Sequence, residues 1–312
     1  MKKSIAHLKM QILTWVINSG PVIYNVIRMV ASFIDGVKIK KAAKKGTPFV
    51  LIYQQGRVAS TSVYESIKSI KLPYPLYHVH TLSARTAEKK IEQFKQKGGK
   101  IYRYLFVGKQ LNHALKNRDL TTQAAPWKII SIFRDPIEIV LSIHFLNIEN
   151  NINSFLNESG QVDKNKALKY YENLFTHDDP AGWSVCNWYD EVFLDETGVD
   201  VFSSSFDYEK GYAVINTQKF DILLIKFEDI KKAYKYGVAE LFDLHATELK
   251  LQHANLHRND SYSDVYKYVK QNLKFTPEFC ENVYSTKLIK HFYSPNQIDE
   301  LIRKWTYKSG LE

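Results

Sequence analysis

Cysteine is nearly missing from this chain: 312 residues contain only Cys186 and Cys280. Two thiols so far apart exclude a disulfide framework and a four-cysteine zinc site, and a reducing compartment is the simplest inference. Both are expected to be buried and chemically idle. The chain also lacks an internal repeat, a low-complexity linker and an unbroken apolar run of bilayer-spanning length. Its most apolar stretch, residues 10–34, is cut by Gly20-Pro21 and interrupted by Asn18, Asn25 and Arg28. No small-residue cleavage site follows a compact apolar region, which argues against a cleaved secretory signal.

Acidic residues are scarce at one end. Through residue 45 there are eight lysines and Arg28 against Asp35 alone, so this segment holds +8 of the formal +10 and the remaining body only about +2. A nucleic-acid binder would spread basic residues over its folded face, so nucleic acid is not the expected partner. Two amphipathic pieces carrying Trp15 and Tyr24, with Lys2, Lys3 and Lys9 before them and Lys38 to Lys45 after, fit a segment lying on an anionic membrane surface. A helical extension packed on the protein's own core fits the same pattern. The remainder, 45% hydrophobic and 13% aromatic overall, is globular rather than disordered. We therefore divide the chain into a basic N-terminal segment, 1–45, and an α/β domain, 46–312.

Two strand-to-helix junctions stand out. Residues 49–53 read as a buried strand, and Val63, Ile67 and Ile70 recur at helical spacing after Gln54-Gln55-Gly56-Arg57-Val58-Ala59-Ser60-Thr61-Ser62. Helix-start N–H groups, hydroxyls and a guanidinium together make an anion site. At the second junction, residues 128–145, a strand ends at Arg134, Asp135 offers an N-cap, Pro136 takes the first helical position and Ser142 follows two turns on. One phosphate could bridge Arg134 and Ser142.

Arg57-Val58-Ala59-Ser60-Thr61 resembles the 5′-phosphosulfate loop of sulfotransferases, and Arg134 with Ser142 resembles the 3′-phosphate motif of the same enzymes. The run Leu223-Leu224-Ile225-Lys226-Phe227-Glu228-Asp229-Ile230 resembles their strand followed by E-D-L. Asn187-Trp188-Tyr189 and His291-Phe292-Tyr293-Ser294 bring the likeness nearest to a bacterial group of capsular polysaccharide synthesis proteins, over roughly residues 49–305. The family often has Lys at the place of Arg57 and Gly at that of Ala59. The resemblance implies a P-loop-like three-layer fold, a central parallel sheet flanked by helices. It also implies 3′-phosphoadenosine 5′-phosphosulfate (PAPS) as donor and a carbohydrate hydroxyl as acceptor.

The loop lacks the Gly-Lys-Ser/Thr with which a Walker-type site reaches terminal phosphates, and suits a donor needing no divalent metal. Arg57 is the expected leaving-group stabiliser, with Ser60, Thr61 and Ser62 on the 5′-phosphate and sulfate. His78 and His80 alternate on one face of a strand expected over 75–82. The resemblance puts a catalytic His between the two motifs, so His80 is the expected base, oriented by His78; Glu65, in the first helix, is its rival. Trp183, Trp188 and Tyr189 fit core packing better than sugar stacking. Glu228 and Asp229 are read as helix caps, and His253, His257 and Arg258 as a solvated polar cluster.

Elsewhere a helix is expected over 83–97, strands over 101–107 and 221–227, a polar insertion over 147–180, and helices through 260–308, one opening at Ser294-Pro295. The reading is a PAPS-dependent sulfotransferase of polysaccharide biosynthesis, cytoplasmic and peripheral to the membrane. An idle nucleotide- or glycan-binding subunit of a polysaccharide-assembly complex and a kinase with a degenerate loop are the alternatives.

Overall fold

The computed structural model describes residues 20–118, 125–146, 152–176, 183–252 and 260–306. Its five strands are β1 (Val50–Tyr53), β2 (Leu76–Val79), β3 (Trp127–Phe133), β4 (Tyr212–Asn216) and β5 (Phe220–Lys226). They form one sheet in the order β2-β1-β3-β5-β4, flanked by helices. β1 and β2 run parallel, with Ile52 opposite His78. The sheet is not parallel throughout: β4 and β5 are joined by three residues, with Thr217 donating to the Phe220 carbonyl and Lys226 to that of Gly211, which is a hairpin. Between β1 and β3 the strand order reverses, the kind of switch point at which open α/β sheets bind ligands.

The described residues fall into two units. The first comprises residues 20–53, 71–118, 125–129 and 216–221. In it α1 (Pro21–Lys44) starts where Gly20-Pro21 breaks the apolar stretch, with Pro at its first position. α1 is fastened by Asp35, which accepts two bonds from Arg103 at 2.6 and 2.7 Å, and by Asn25, which bonds Gly99 and Ile101. α3 (Ala84–Gln96) opens on Ser83, whose Oγ accepts from Thr86. The expected strand at 101–107 is instead the start of α4 (Arg103–Lys116). Alternating apolar residues misled there: Leu105, Val107, Gly108 and Leu111 are all buried, and this spacing also suits a helix face. Gly108 is required by close approach, since a Cβ there would lie 2.2 Å from the Thr81 carbonyl oxygen.

The second unit comprises residues 54–70, 130–215 and 222–306 as described. It contains α2 (Ser60–Ile70), α5 (Pro136–Leu146), α6 (Lys164–Thr176), α7 (Ser184–Trp188), α8 (Ile230–Phe242), α9 (Asp260–Asn272), α10 (Pro277–Tyr284), α11 (Lys287–Phe292) and α12 (Pro295–Trp305). α12 begins as read from the sequence: Ser294 and Gln297 form a capping box, with Pro295 next. Its core is aromatic, with Phe133 stacked on Phe292 at 4.2 Å and Phe206 edge-on to Phe292. Cys186 and Cys280 are buried, and burial pushes both thiols up to about 12. Both Cys186 and Cys280 are therefore thiols, not thiolates, at neutral pH.

Candidate functional site

The loop after β1 and the turn after β3 meet within the second unit. Gly56 is followed by two non-glycine residues in the left-handed region, Arg57 at φ 68° and Ala59 at φ 58°. Such a backbone is costly for a side-chain-bearing residue, and it turns the chain directly into α2. The first turn of α2 holds Ser60, Thr61 and Ser62, whose N–H groups precede the first intrahelical bond, from Val63 to the Ala59 carbonyl. The helix start is therefore a donor-rich end beside a guanidinium.

Arg57 donates through Nε to Ser142 Oγ at 2.8 Å. Arg134 donates through a terminal nitrogen to the Arg57 carbonyl at 3.1 Å, lies over the Phe227 ring at 4.1 Å and forms an ion pair with Glu138. Ser142 is buried on α5 two turns from the helix start. Asp135 caps that start as the sequence implies, accepting from Ile137 N–H at 3.0 Å. The structure thus brings together Arg57, Arg134 and Ser142, along with the Ser60–Ser62 turn.

Beneath them lies a network that no local sequence pattern marks. Asp135 accepts from Tyr284 Oη, Lys304 Nζ and Trp305 Nε1 at 3.0, 3.1 and 2.9 Å. Glu138 accepts from Lys304 at 2.6 Å and pairs with Lys270 at 2.9 Å. Burial would raise the Glu138 carboxyl, but Arg134, Lys304 and Lys270 outweigh it and hold it down at about 2. Glu228 proves to be part of this network rather than a helix cap. It accepts from Asp135 N–H and Tyr293 Oη, both at 3.0 Å, and burial pushes its carboxyl up. Asp229 stands at the start of α8 without capping through its side chain, and its carboxylate pairs with Lys226 at 2.7 Å. Arg134, Lys270 and Lys304 are thus set against the carboxylates of Asp135 and Glu138, and Arg57 joins the same cluster through its carbonyl, which accepts from Arg134.

Two buried groups in this region invite a polar ligand. Gln55 is 7% exposed, and neither its Nε2 nor its Oε1 has a hydrogen-bond partner among the described residues. Arg134 Nε is buried in the same condition. Unsatisfied polar atoms of this kind are rare in folded proteins and call for an explanation.

Three further expected site residues are His78, His80 and Glu65. In the first unit, His78 and His80 have ring centroids 5.0 Å apart, and His80 meets Tyr104 edge-on at 4.9 Å. Strand β2 ends at Val79, so His80 sits just past it. Burial, and then His80, lower His78 to about 4, which makes it a neutral imidazole at pH 7. Glu65, on α2, is paired with Lys68 at 3.1 Å on the surface. Trp188 and Tyr189 are buried, Tyr189 bonding Ser131 Oγ at 2.9 Å, and Trp183 packs on Phe175 and Phe279. α7 continues beyond Trp188 as a π turn, Tyr189–Phe193, in which Leu194 N–H reaches back to the Tyr189 carbonyl. His253, His257 and Arg258 lie outside the described residues, as do Lys2, Lys3, Lys9 and Trp15. Among the described residues no group of three or more His, Cys, Asp or Glu could hold a metal ion, and no helix is long and apolar enough to cross a membrane.

Tyr189 and Tyr293, two buried anchors of this unit, fall within one stretch of sequence similarity. Residues 159–294 match the NKWYS family model, described as "Putative capsular polysaccharide synthesis protein". The stretch includes Asn187-Trp188-Tyr189, the π turn and His291-Phe292-Tyr293-Ser294. The match suggests a role in polysaccharide biosynthesis. No curated protein and no solved structure matches the chain.

Proposed function

We propose that the protein is a PAPS-dependent sulfotransferase of a P-loop-like fold, acting on a carbohydrate hydroxyl in polysaccharide biosynthesis at a membrane surface. The observation that carries this reading is the Arg57–Ser142 bond at 2.8 Å, which joins the two anion motifs into one site. The unsatisfied Gln55 and Arg134 atoms support it. The family match supports the glycan side.

In this reading the 3′-phosphate lies between Arg134 and Ser142, and the 5′-phosphosulfate against Arg57, Val58, Ala59 and the Ser60–Ser62 turn. The acceptor oxygen forms a new bond to sulfur while the bond from sulfur to the bridging oxygen breaks. The electron pair of that bond stays on the 5′-phosphate, leaving adenosine 3′,5′-bisphosphate. Arg57 stabilises the charge that grows on the leaving oxygen. The acceptor proton goes to the base, His80, with the neutral His78 beside it.

The test is a panel of glycan acceptors incubated with ³⁵S-labelled PAPS, alongside calorimetric titration with adenosine 3′,5′-bisphosphate. Label transfer without added divalent metal is the expected result. Binding without transfer to any acceptor would point to a nucleotide-binding subunit instead, and no binding would sink the reading.

A further inference from the structure

The first unit has a cleft of about 1090 Å³ between the C-terminal half of α1 and α4. Its floor is apolar, with Ile39 and Trp127 buried and Phe106 half-buried. Around it stand Lys40, Lys44, Lys109, Lys116 and Arg118, and no Asp or Glu lines it among the described residues. Lys109 pairs with Glu88 at 2.7 Å, and Arg118 is anchored to the Lys219 and Ala125 carbonyls. Lys40, Lys44 and Lys116 are exposed. An apolar trough with a cationic rim matches an amphiphile with an anionic head.

The outer face of α1 points to the same ligand. Val22, Val26, Met29, Phe33 and Val37 are exposed, Val22 at 76% and Phe33 at 73%, and they recur every three or four residues. Continuing that spacing gives Lys40 and Lys44, two residues of the cleft rim. The buried side, with Tyr24, Ser32, Asp35 and Ile39, faces the other way. One outward stripe therefore passes from apolar to basic along the helix, as it would from acyl chains to phosphate headgroups.

We propose that the cationic rim of this cleft holds the phosphate of an anionic phospholipid and its apolar floor the adjoining start of an acyl chain, while the Val22–Val37 stripe lies among the acyl chains of the same leaflet. The proposal extends the membrane-surface part of the functional reading and is independent of the nucleotide site. It gives α1 a definite depth: its first four turns among the chains, its last two at the headgroups.

The test uses the full chain and sedimentation with vesicles of pure phosphatidylcholine or with 30% phosphatidylglycerol. Lys40→Ala/Lys44→Ala/Lys116→Ala should weaken binding to the anionic vesicles about 100-fold, from about fivefold per lysine. Lys89→Ala/Lys90→Ala/Lys97→Ala, an equal loss of charge on and just after α3, should cost less than tenfold. Phe33→Ser should weaken binding to both vesicle types. Equal losses for the two triple variants would overturn the cleft assignment, leaving only diffuse charge. Competition of wild-type binding by millimolar inorganic phosphate would overturn the lipid in favour of free phosphate. Circular dichroism checks that each variant is folded. Adenosine 3′,5′-bisphosphate affinity should be unchanged in all of them, so failure here and failure of the sulfotransferase reading are separately visible.

Discussion

Arg57 Nε and Ser142 Oγ are hydrogen-bonded at 2.8 Å across 85 positions of sequence. In the proposed reading this bond holds the place of phosphate oxygens, since a guanidinium and a hydroxyl can each donate to a phosphate. Neighbouring Arg134 is differently placed, because Glu138 already balances its charge.

Replacing Arg134 by Ala should remove a charge-assisted contact worth roughly 2–3 kcal/mol to a 3′-phosphate, weakening adenosine 3′,5′-bisphosphate about 30- to 150-fold. Adenosine 5′-phosphosulfate, which lacks that phosphate, should bind almost as before. Calorimetry with both nucleotides decides the matter; equal losses would refute the assignment.

His80→Ala should lower kcat by about 10²–10⁴-fold with little change in nucleotide affinity, because a base acts only as the acceptor proton is lost. Arg57→Ala should lower kcat severely, and Arg57→Lys should keep part of the rate. Glu65 in its surface pair with Lys68 should tolerate Gln with little change in stability, under about 0.5 kcal/mol. Should Glu65→Gln abolish turnover while His80→Ala spares it, the base sits on α2.

The left-handed Ala59 makes a stability prediction independent of any activity. A left-handed residue with a Cβ costs roughly 1–2 kcal/mol, and glycine loses part of that advantage to its unfolded-chain entropy. Ala59→Gly should therefore raise stability by up to about 1 kcal/mol, and Ala59→Val should lower it. Urea midpoints at constant m-value would reveal either.

Stability should decline in acid in two stages. His78 is depressed to about 4, so its contribution is complete above about pH 6.5 and disappears as the pH falls to about 4. Glu138 is depressed to about 2, so its share is complete above the usual glutamate value and disappears as the pH falls further. Each amounts to about 3 kcal/mol. Glu228, raised by burial, works in the opposite sense, its penalty lifting as it protonates. Urea melts from pH 8 to 3 would test the upper stage, and His78→Asn should flatten it.

Gly108→Ala would drive a Cβ to 2.2 Å from the Thr81 carbonyl oxygen, a backbone group that cannot rotate aside. We expect a loss of about 1–3 kcal/mol by overpacking, read from thermal melts, with reduced kcat because Thr81 adjoins His80.

Local chemistry made much of the fold legible. Asp135-Pro136 and Ser294-Pro295 are helix starts whose caps lie within three residues, and both form as read. The strand over 221–227 is found within a residue, as β5. Long-range chemistry was not legible. Lys304 reaches Asp135 across 169 positions, and no local pattern marks Trp305 as a partner of Asp135 or Lys270 as one of Glu138. β4 carries little local signal, being five residues long with only Tyr212 and Ile215 buried. At the start of α4 a short apolar alternation fits either period.

The π turn at Tyr189–Phe193 bears on how this segment can change over time. Its closing bond runs from Leu194 back five residues, so the helix carries one residue more than regular winding needs. Deleting one residue from 189–192 would restore regular winding and leave the turn that follows in place, with the buried Thr197 still four residues from the Phe193 carbonyl that it bonds. This turn is therefore the point at which the helix can lose one residue without turning its buried side outward. Sequences that align through it should show a single-residue gap here before they show one elsewhere in the helix.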